Sequence, residues 1–311
     1  MTVPRPCTKC GSAGKYPEFV RKVLAISFVL FAALIGAPSA RAQVATLTAQ
    51  QVVERIQTNL KGTWGLGVDS FKDGDPNTLV TGVAVTMMAT MEVLQKAAAA
   101  GANLVITHEP IFYAHDDKLT TLEALHDPAV AAKRAFIREH HLVVFRMHDH
   151  WHAPARMPDP VVIGVFRALD WLRYQAKPEL PLVVLPSTTV GALAKAMAKR
   201  LDATAVRIVG DVNQRVTMVG FLPGASGFDM HRNFLQRDDV EVLVIGEARE
   251  WETIPYVADL KAQRMHKALI VLGHVPSEEA GMDEFVRWLA PLLPEAKVSM
   301  IHASDPFRLP R

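Results

Sequence analysis

The chain has 311 residues, of which 50% are hydrophobic and 21% are charged, and its net charge is +2. This composition is typical of a folded globular protein and excludes a disordered, collagen-like or low-complexity chain. The length is sufficient for one large domain or two moderate ones. The two cysteines, Cys7 and Cys10, cannot form a disulfide framework.

The first 42 residues have the pattern of an export signal. Positive charges between residues 15 and 22 precede an apolar run of 15 residues, 23–37. This run is shorter than the roughly 20 residues of a comfortable membrane span. The small–x–small sequence at 40–42 suits cleavage before Gln43. We therefore predict a signal peptide over residues 1–42 and an exported, periplasmic protein, with an uncleaved N-terminal anchor as the alternative.

Cleavage would change the chemistry of the chain. The remaining 269 residues hold 28 Lys and Arg residues against 31 Asp and Glu residues, a net charge of −3. A mildly acidic protein without a strong basic patch is not expected to bind nucleic acid. Both cysteines leave with the signal, which suits an oxidising compartment, whereas all 12 histidines remain. No stable membrane span is expected after cleavage.

Helix and strand patterns alternate along the remaining chain. In chain order, they predict a helix over 47–61, a strand over 79–85, a helix over 90–100, a strand over 104–107, a helix over 127–141, a strand over 142–145, helices over 161–174 and 187–201, strands over 216–222 and 240–245, a helix over 253–264, a strand over 268–272, a helix over 282–293 and a strand over 298–301. The strand–helix–strand units predict an α/β fold with parallel strands. A run of prolines from Pro178 to Pro186 predicts a boundary between an N-terminal lobe, 43–177, and a C-terminal lobe, 178–311.

Histidines follow three of the predicted strands. His108 and Glu109 follow the strand over 104–107, the histidine-rich segment 148–152 follows the strand over 142–145, and His274 with Glu278 follows the strand over 268–272. Ligands of open α/β folds bind beyond the carboxyl ends of the strands. Imidazole and carboxylate groups suit zinc, manganese or iron. A single cluster could be a solvated loop, but three clusters at strand ends favour a metal site.

Other patterns carry less information. Residues 224–227 could present backbone N–H groups to an anion, although a simple turn is the more common meaning of such a sequence. Ser226 lacks the context of a nucleophile elbow, which argues against a serine hydrolase. The loop 115–117 is expected on the surface, with a supporting role beside the metal site as the alternative. The phosphate-loop and dinucleotide fingerprints are both absent from the sequence.

Several of these segments resemble a known family. Residues 101–112 read GANLVITHEPIF, where the NIF-three-like dinuclear-metal family, also known as type 2 GTP cyclohydrolase I, typically reads GADLIITHHPLFF. Residues 246–247 and 273–278 resemble its GE and GHxxxE motifs, and 206–227 resemble its middle part. The likeness covers about residues 47–310. It implies an α/β fold of two interlocked lobes with mixed sheets flanked by helices, a metal site between the lobes, and a hexamer.

The resemblance also implies five metal ligands. His108 matches the first histidine of the family's pair, and His274 and Glu278 match its late histidine and glutamate. Glu109 replaces the second histidine of the pair, and His152 replaces a family aspartate. The two replacements compensate, because three histidines and two carboxylates remain. The implied cofactor is a pair of divalent ions, zinc, manganese or iron, with a single ion as the alternative.

Together with the resemblance, these residues predict a metal-dependent hydrolase that acts on an unspecified small molecule. Glu247 and Glu279 are candidates for proton transfer, with a surface or supporting role as the alternative. Asp149 is an alternative metal donor if the local alignment shifts. GTP is not expected as a substrate outside the cytoplasm. Two other functions stay open: a non-catalytic metal-binding protein of the cell envelope, and a ring-shaped scaffold.

Overall fold

The computed structural model describes residues 46–60, 62–65, 67–120, 126–152 and 158–310. The predicted signal peptide and its cleavage site lie outside the described residues. Among the helices of the described part, none is both long enough and apolar enough to cross a membrane.

Helices and strands alternate along most of the described chain. In order they are α1 (Ala49–Asn59), β1 (Phe71–Asp73), β2 (Val83–Thr86), α2 (Met91–Ala99), β3 (Leu104–Thr107), α3 (Pro128–Glu139), β4 (Val143–Arg146), α4 (Pro160–Ala168), β5 (Leu182–Thr189), α5 (Val190–Arg200), β6 (Arg207–Val209), β7 (Arg215–Leu222), α6 (Phe228–Leu235), β8 (Val242–Ile245), α7 (Thr253–Ala262), β9 (Ala268–Val271), α8 (His274–Leu289) and β10 (Val298–Met300). Short 3-10 helices cover Leu172–Tyr174 and Ala290–Leu292.

The strands form two five-stranded sheets. The first has the order β1-β4-β3-β2-β10, and the second has the order β5-β7-β8-β9-β6. The inner strands of both sheets run parallel, and β1, β5 and β6 are antiparallel edge strands. Since β2, β3, β4, β8 and β9 are buried at every position, each sheet must be covered on both faces. The predicted α/β fold with two mixed sheets flanked by helices is confirmed.

Helices cover both faces of each sheet. Residues of α1 and α8 pack on one face of the first sheet, and residues of α2 and α3 pack on the other. Residues of α4 and α5 cover one face of the second sheet, and residues of α6 and α7 cover its opposite face. This covering buries the valine- and leucine-rich strands, and it leaves the strand ends as the places where polar side chains can gather.

The structure differs from the predicted elements in several places: α6, β1 and β6 were not predicted, α4 ends at Ala168 although the helix was expected to reach residue 174, and two helices begin at other residues than expected. Residues 187–189, expected to begin a helix, end strand β5, and α5 begins after Thr189, whose hydroxyl accepts a hydrogen bond from the Ala192 N–H at 3.2 Å. Helix α8 begins at His274, earlier than predicted. Pro276 lies in its first turn, where a missing N–H removes no intrahelical hydrogen bond.

The last part of the chain returns to the first sheet. Strand β10 pairs in parallel with β2, so the first sheet contains strands from both ends of the described chain. Helix α8 packs so closely on α4 that a Cβ at Gly164 would lie 2.2 Å from the carbonyl oxygen of Ala280. The two sheets therefore do not divide the chain at a single point, and the lobe boundary between residues 177 and 178 stays a prediction.

One histidine is buried in the second sheet's helical layer. His231 on α6 has no exposed surface. Its Nε2 lies 3.2 Å from the Ser226 hydroxyl and its Nδ1 lies 2.7 Å from the Thr253 hydroxyl. Burial disfavours the charged imidazolium and lowers the pKa of His231 to about 4. The folded protein therefore holds this imidazole neutral at pH values where the unfolded chain protonates it.

We predict that this histidine makes the protein less stable in mild acid. Between about pH 6.5 and 4 the unfolded chain binds one more proton here than the folded chain, so the free energy of unfolding decreases as the pH falls. The difference in unfolding free energy between wild type and His231→Gln should shrink from pH 7 to pH 4, measured by urea denaturation in EDTA. The exposed His266, changed to Gln, serves as the control. Parallel pH profiles for wild type and His231→Gln would refute this.

Candidate metal centre

The ends of β3, β4 and β9 bring the predicted ligands together. His108 and Glu109 directly follow β3, and the segment beginning at His148 follows β4 two residues after the strand ends. Since β3 and β4 are parallel neighbours, these side chains emerge at the same edge of the first sheet. His274 and Glu278 lie on the first turns of α8, which follows β9 of the second sheet.

Each of the five predicted ligands lies within 3.7 Å of at least one other. The Nε2 atoms of His108 and His152 are 3.0 Å apart. The Nε2 of His274 lies 3.1 Å from Glu109 Oε1 and 3.3 Å from Glu278 Oε2. The Nε2 of His108 lies 3.7 Å from the same Glu278 oxygen. The structure thus brings all five residues into one cluster, and their role as ligands stays a prediction.

A sixth side chain joins this cluster. The Nε2 of His148 lies 3.7 Å from Glu109 Oε1. His148 forms one potential metal-binding group with His108 and His152, whose donor atoms all lie within 4.8 Å of one another. His108, Glu109 and Glu278 form a second such group. We therefore add His148 to the candidate ligands. The only indication of it in the sequence was its position in the histidine-rich segment 148–152.

All four histidines of the cluster are oriented in the same way. An oxygen atom lies beside the Nδ1 of each ring, so that a protonated Nδ1 can donate a hydrogen bond to this oxygen. The pairs are His108 with the Met147 carbonyl at 3.0 Å, His148 with Asp149 at 2.8 Å, His152 with Asp159 at 2.8 Å, and His274 with Glu247 at 3.2 Å. With Nδ1 protonated, each Nε2 directs a lone pair toward the centre of the cluster. Metal-bound histidines have this arrangement.

The donor set fits a divalent cation. The facing Nε2 lone pairs of His108 and His152, 3.0 Å apart, repel each other unless a proton or a cation lies at that point. Glu278 Oε2 is buried and accepts no hydrogen bond from the described residues. The same carboxylate lies against Gly224, where a Cβ would come within 2.2 Å of Oε1. Nitrogen and carboxylate donors without thiols suit zinc, manganese or iron.

Electrostatics inside the cluster respond to these contacts. Burial disfavours the charged form of His274, but hydrogen bonds to Glu109 and Glu247 outweigh it and raise its pKa to about 12. Burial would raise the pKa of Glu109, but the hydrogen bond from His274 lowers it to about 2. Burial and the neighbouring His152 hold the pKa of His108 well below its usual range. In the metal-free protein, a proton on His274 occupies a nitrogen that a cation would need.

A buried arginine supports Glu109 from behind. Arg146, the last residue of β4, has no exposed surface. Its Nη2 lies 3.3 Å from Glu109 Oε2, and its Nε donates to the His108 carbonyl at 3.0 Å. Its Nη1 lies 3.5 Å from Asp117. The expectation that residues 115–117 form a surface loop is wrong for Asp117, whose side chain is 2% exposed because it faces this arginine.

The two candidates for proton transfer lie in different places. Glu247 is half exposed and its Oε2 lies 3.2 Å from His274 Nδ1. Glu279 accepts a hydrogen bond from the Ala303 N–H at 2.5 Å and pairs with His302 at 3.3 Å. It lines a separate cavity that none of the predicted ligands lines. Successive residues of a helix point about 100° apart, so Glu279 faces away from its neighbour Glu278. Of the two, Glu247 is the one in contact with the cluster.

Neighbouring polar residues have supporting positions. The carboxylate of Asp149, the alternative donor, contacts His148 and accepts a hydrogen bond from the Val68 N–H at 3.0 Å. His150 does not join the cluster; it stacks on Trp64 with ring centroids 3.6 Å apart and bonds to Asp69 at 2.8 Å. These contacts hold the loop after β4 in place. The sequence carried no signal that would separate His150 from its neighbours.

Asp159 is the supporting residue that sequence reasoning missed. One carboxylate oxygen contacts His152 Nδ1 at 2.8 Å, and the other accepts the Val161 N–H at 2.8 Å as the N-cap of α4. The Asp-Pro pair at 159–160 is a helix-start pattern, and it could have placed the cap. It could not have indicated the contact with His152, because six residues, 153–158, separate the two in the chain.

Comparisons with known proteins agree with the fold. Residues 48–148 and 178–306 match the profile of the family described as Duf34/NIF3 (NGG1p interacting factor 3). A hypothetical protein of Staphylococcus aureus is similar over 85% of this chain and 100% of its own, with 15% identity and a TM-score of 0.64. A Bacillus cereus protein related to NIF3 is similar over 85% of this chain and 99% of its own, with 14% identity and a TM-score of 0.62.

Reduced HcgD from Methanocaldococcus jannaschii is similar over 83% of this chain and 99% of its own, with 13% identity and a TM-score of 0.55. At these identities the structural likeness concerns the fold alone. No curated protein matches the chain. Since the family profile matches well over half of the sequence, this chain belongs to the Duf34/NIF3 family.

Proposed function

We propose that the protein is a metal-dependent hydrolase of a small molecule, with a dinuclear centre held by His108, Glu109, His152, His274 and Glu278, and with His148 as a further candidate ligand. The observation that carries the proposal is the convergence of imidazole Nε2 atoms and two carboxylates with each Nδ1 bound from outside the cluster. Divalent ions bound there supply Lewis-acid chemistry and lower the pKa of water toward 7. The cavity beside the cluster, of about 580 Å³, has the size of a small-molecule site.

The position of Glu278 supports two ions rather than one. Its Oε2 lies between His108, which follows a strand of the first sheet, and His274, which follows a strand of the second. Glu278 would therefore help to hold the proposed ions together with His108 and His274, its nearest imidazole donors, and the ions would supply Lewis-acid chemistry there. The charges of Glu109 and Glu278, with a hydroxide, suit two divalent ions. Zinc, manganese and iron are the candidates.

Glu247 has the geometry of a proton carrier. It contacts His274, and about half of its side chain is exposed, so it can exchange protons with solvent. The hydrogen bond to His274 lowers the pKa of its carboxylate, which keeps it ionised at neutral pH. We propose that Glu247 orients His274 through Nδ1 and accepts a proton released during hydrolysis.

We predict that Asp159→Asn lowers metal affinity about 10–100-fold, the usual effect of losing such a supporting carboxylate. Asparagine can keep the N-cap bond to Val161 but removes the negative charge from His152 Nδ1. Competition with a chelator measures the affinity for zinc and manganese. The matched control is Asp127→Asn, another N-cap aspartate before a proline, which should leave metal affinity unchanged. Equal affinities in wild type and Asp159→Asn would contradict the assignment.

We predict that the full-length mature protein, loaded with zinc or manganese, hydrolyses at least one member of a panel of carboxylic esters, amides, phosphoesters and nucleotides. His108→Ala should lose bound metal and turnover together, because it removes the buried donor that both potential metal groups share. Elemental analysis and product chromatography measure the two effects, with His266→Ala as the control. Bound metal without turnover on any substrate would instead favour a non-catalytic metal-binding protein.

We propose further that the protein acts in the periplasm as a homo-oligomer, a hexamer by family resemblance, with no nucleic-acid partner. The apolar run at 23–37 and the acidic remainder of the chain support export. Mass spectrometry of protein purified from its host should find a mature N-terminus near Gln43, in the periplasmic fraction. An intact N-terminus in the cytosolic fraction would refute export and make GTP a candidate substrate again.

A further inference from the structure

The cavity beside the metal cluster has two chemically different walls. One wall is formed by the cluster, with His148, His152, His274, Glu109 and Glu278 among its lining residues. The other wall is apolar. It includes Val162, Leu180, Leu222, Pro223, Met230 and Phe234. A water-filled ionic pocket would not need such a wall, and apolar lining surface is characteristic of sites that receive an apolar part of a ligand.

The charges of the lining residues disfavour a polyanionic ligand. Among the described residues that line the cavity there is no lysine or arginine, and Arg146 is buried behind Glu109. Four carboxylates line it: Glu109, Asp159, Glu179 and Glu278. Sites that recognise phosphate groups usually supply arginine or lysine in addition to metal ions.

We propose that the substrate of this site is an uncharged carboxylic ester or amide with an apolar acyl group. This inference rests on the proposed hydrolase function. The carbonyl faces the cluster, and the acyl chain lies against the wall formed by Leu222, Met230 and Phe234. The oxygen of water forms a bond to the acyl carbon, the C–O or C–N bond breaks, and the leaving oxygen or nitrogen takes a proton from that water. The products are a carboxylic acid and an alcohol or amine.

A neutral carbonyl compound suits this site better than a phosphoester. Phosphate mono- and diesters keep a negative charge at neutral pH, and the described lining residues offer no lysine or arginine to pair with it. An acyl chain gains from burial against the apolar wall, by about fourfold in binding for each methylene group. Ser226, held at 3.2 Å by the buried His231, lines the same cavity and offers a hydroxyl to the polar end of such a substrate.

The first test measures chain-length preference in the metal-loaded protein. We expect kcat/KM for p-nitrophenyl acetate, butyrate and hexanoate to rise about fourfold per methylene, and to exceed that for p-nitrophenyl phosphate. Met230→Glu should reduce the hexanoate-to-acetate ratio at least tenfold. The ratio within one variant does not depend on how much of the protein is folded. The matched control is Met265→Glu: Met265 is 44% exposed and Met230 is 46% exposed, but Met265 does not line this cavity.

The second test needs neither metal nor turnover. The neutral apolar fluorophore N-phenyl-1-naphthylamine should bind to the full-length mature protein in EDTA, at least tenfold more weakly to Met230→Glu, and unchanged to Met265→Glu. Equal binding to Met230→Glu and wild type, or a preference for the phosphoester, would overturn the apolar-acyl inference while hydrolysis itself could stand. A different result would overturn the hydrolase function instead: the protein binds metal, Met230→Glu weakens fluorophore binding, but no substrate is turned over.

Discussion

The candidate site is dominated by an excess of inward-facing lone pairs at the junction of two sheets. Four imidazole Nε2 atoms and two carboxylates meet there, and the closest pair, His108 and His152, is separated by 3.0 Å. Buried acceptors that face one another are unfavourable unless a proton or cation lies between them. In the metal-free protein, a proton on His274 supplies positive charge to the surrounding carboxylates, and for this reason the pKa of His274 is raised. A divalent cation satisfies several donors at once.

The rest of the fold holds these donors in position. Ser277 joins the parts contributed by different loops, because its hydroxyl donates to the His274 carbonyl at 2.7 Å and accepts the Gly224 N–H at 3.0 Å. Gly224 has a positive φ of 58° and lies directly against Glu278. Close packing of α8 on α4 then fixes the start of α8, and with it both of its candidate ligands. Rigid placement of this kind is what a metal site with defined geometry requires.

The two departures from the family's ligand pattern each have a physical partner. Glu109 brings a negative charge to a buried position, and Arg146 supplies the opposite charge behind it. His152 lies outside the two segments that match the family profile, as does Asp159, which holds its Nδ1. His152 replaces the family's aspartate, and Glu109 brings a carboxylate back to the cluster. Each of the two residues has a supporting partner, Asp159 for His152 and Arg146 for Glu109.

The sequence by itself determined the fold class, the histidine clusters at three strand ends and the family, since periodicity and local motifs are properties of neighbouring residues. It also indicated, through the resemblance, the five candidate ligands that the structure brings into one cluster. Only the tertiary structure decided that His148 joins the cluster while His150 turns away to stack on Trp64. Only the tertiary structure separated Glu247 from Glu279, and only it gathered apolar side chains around the cavity beside the cluster. These distinctions depend on the direction of a side chain and on contacts between residues far apart in the chain, and no local pattern encodes either.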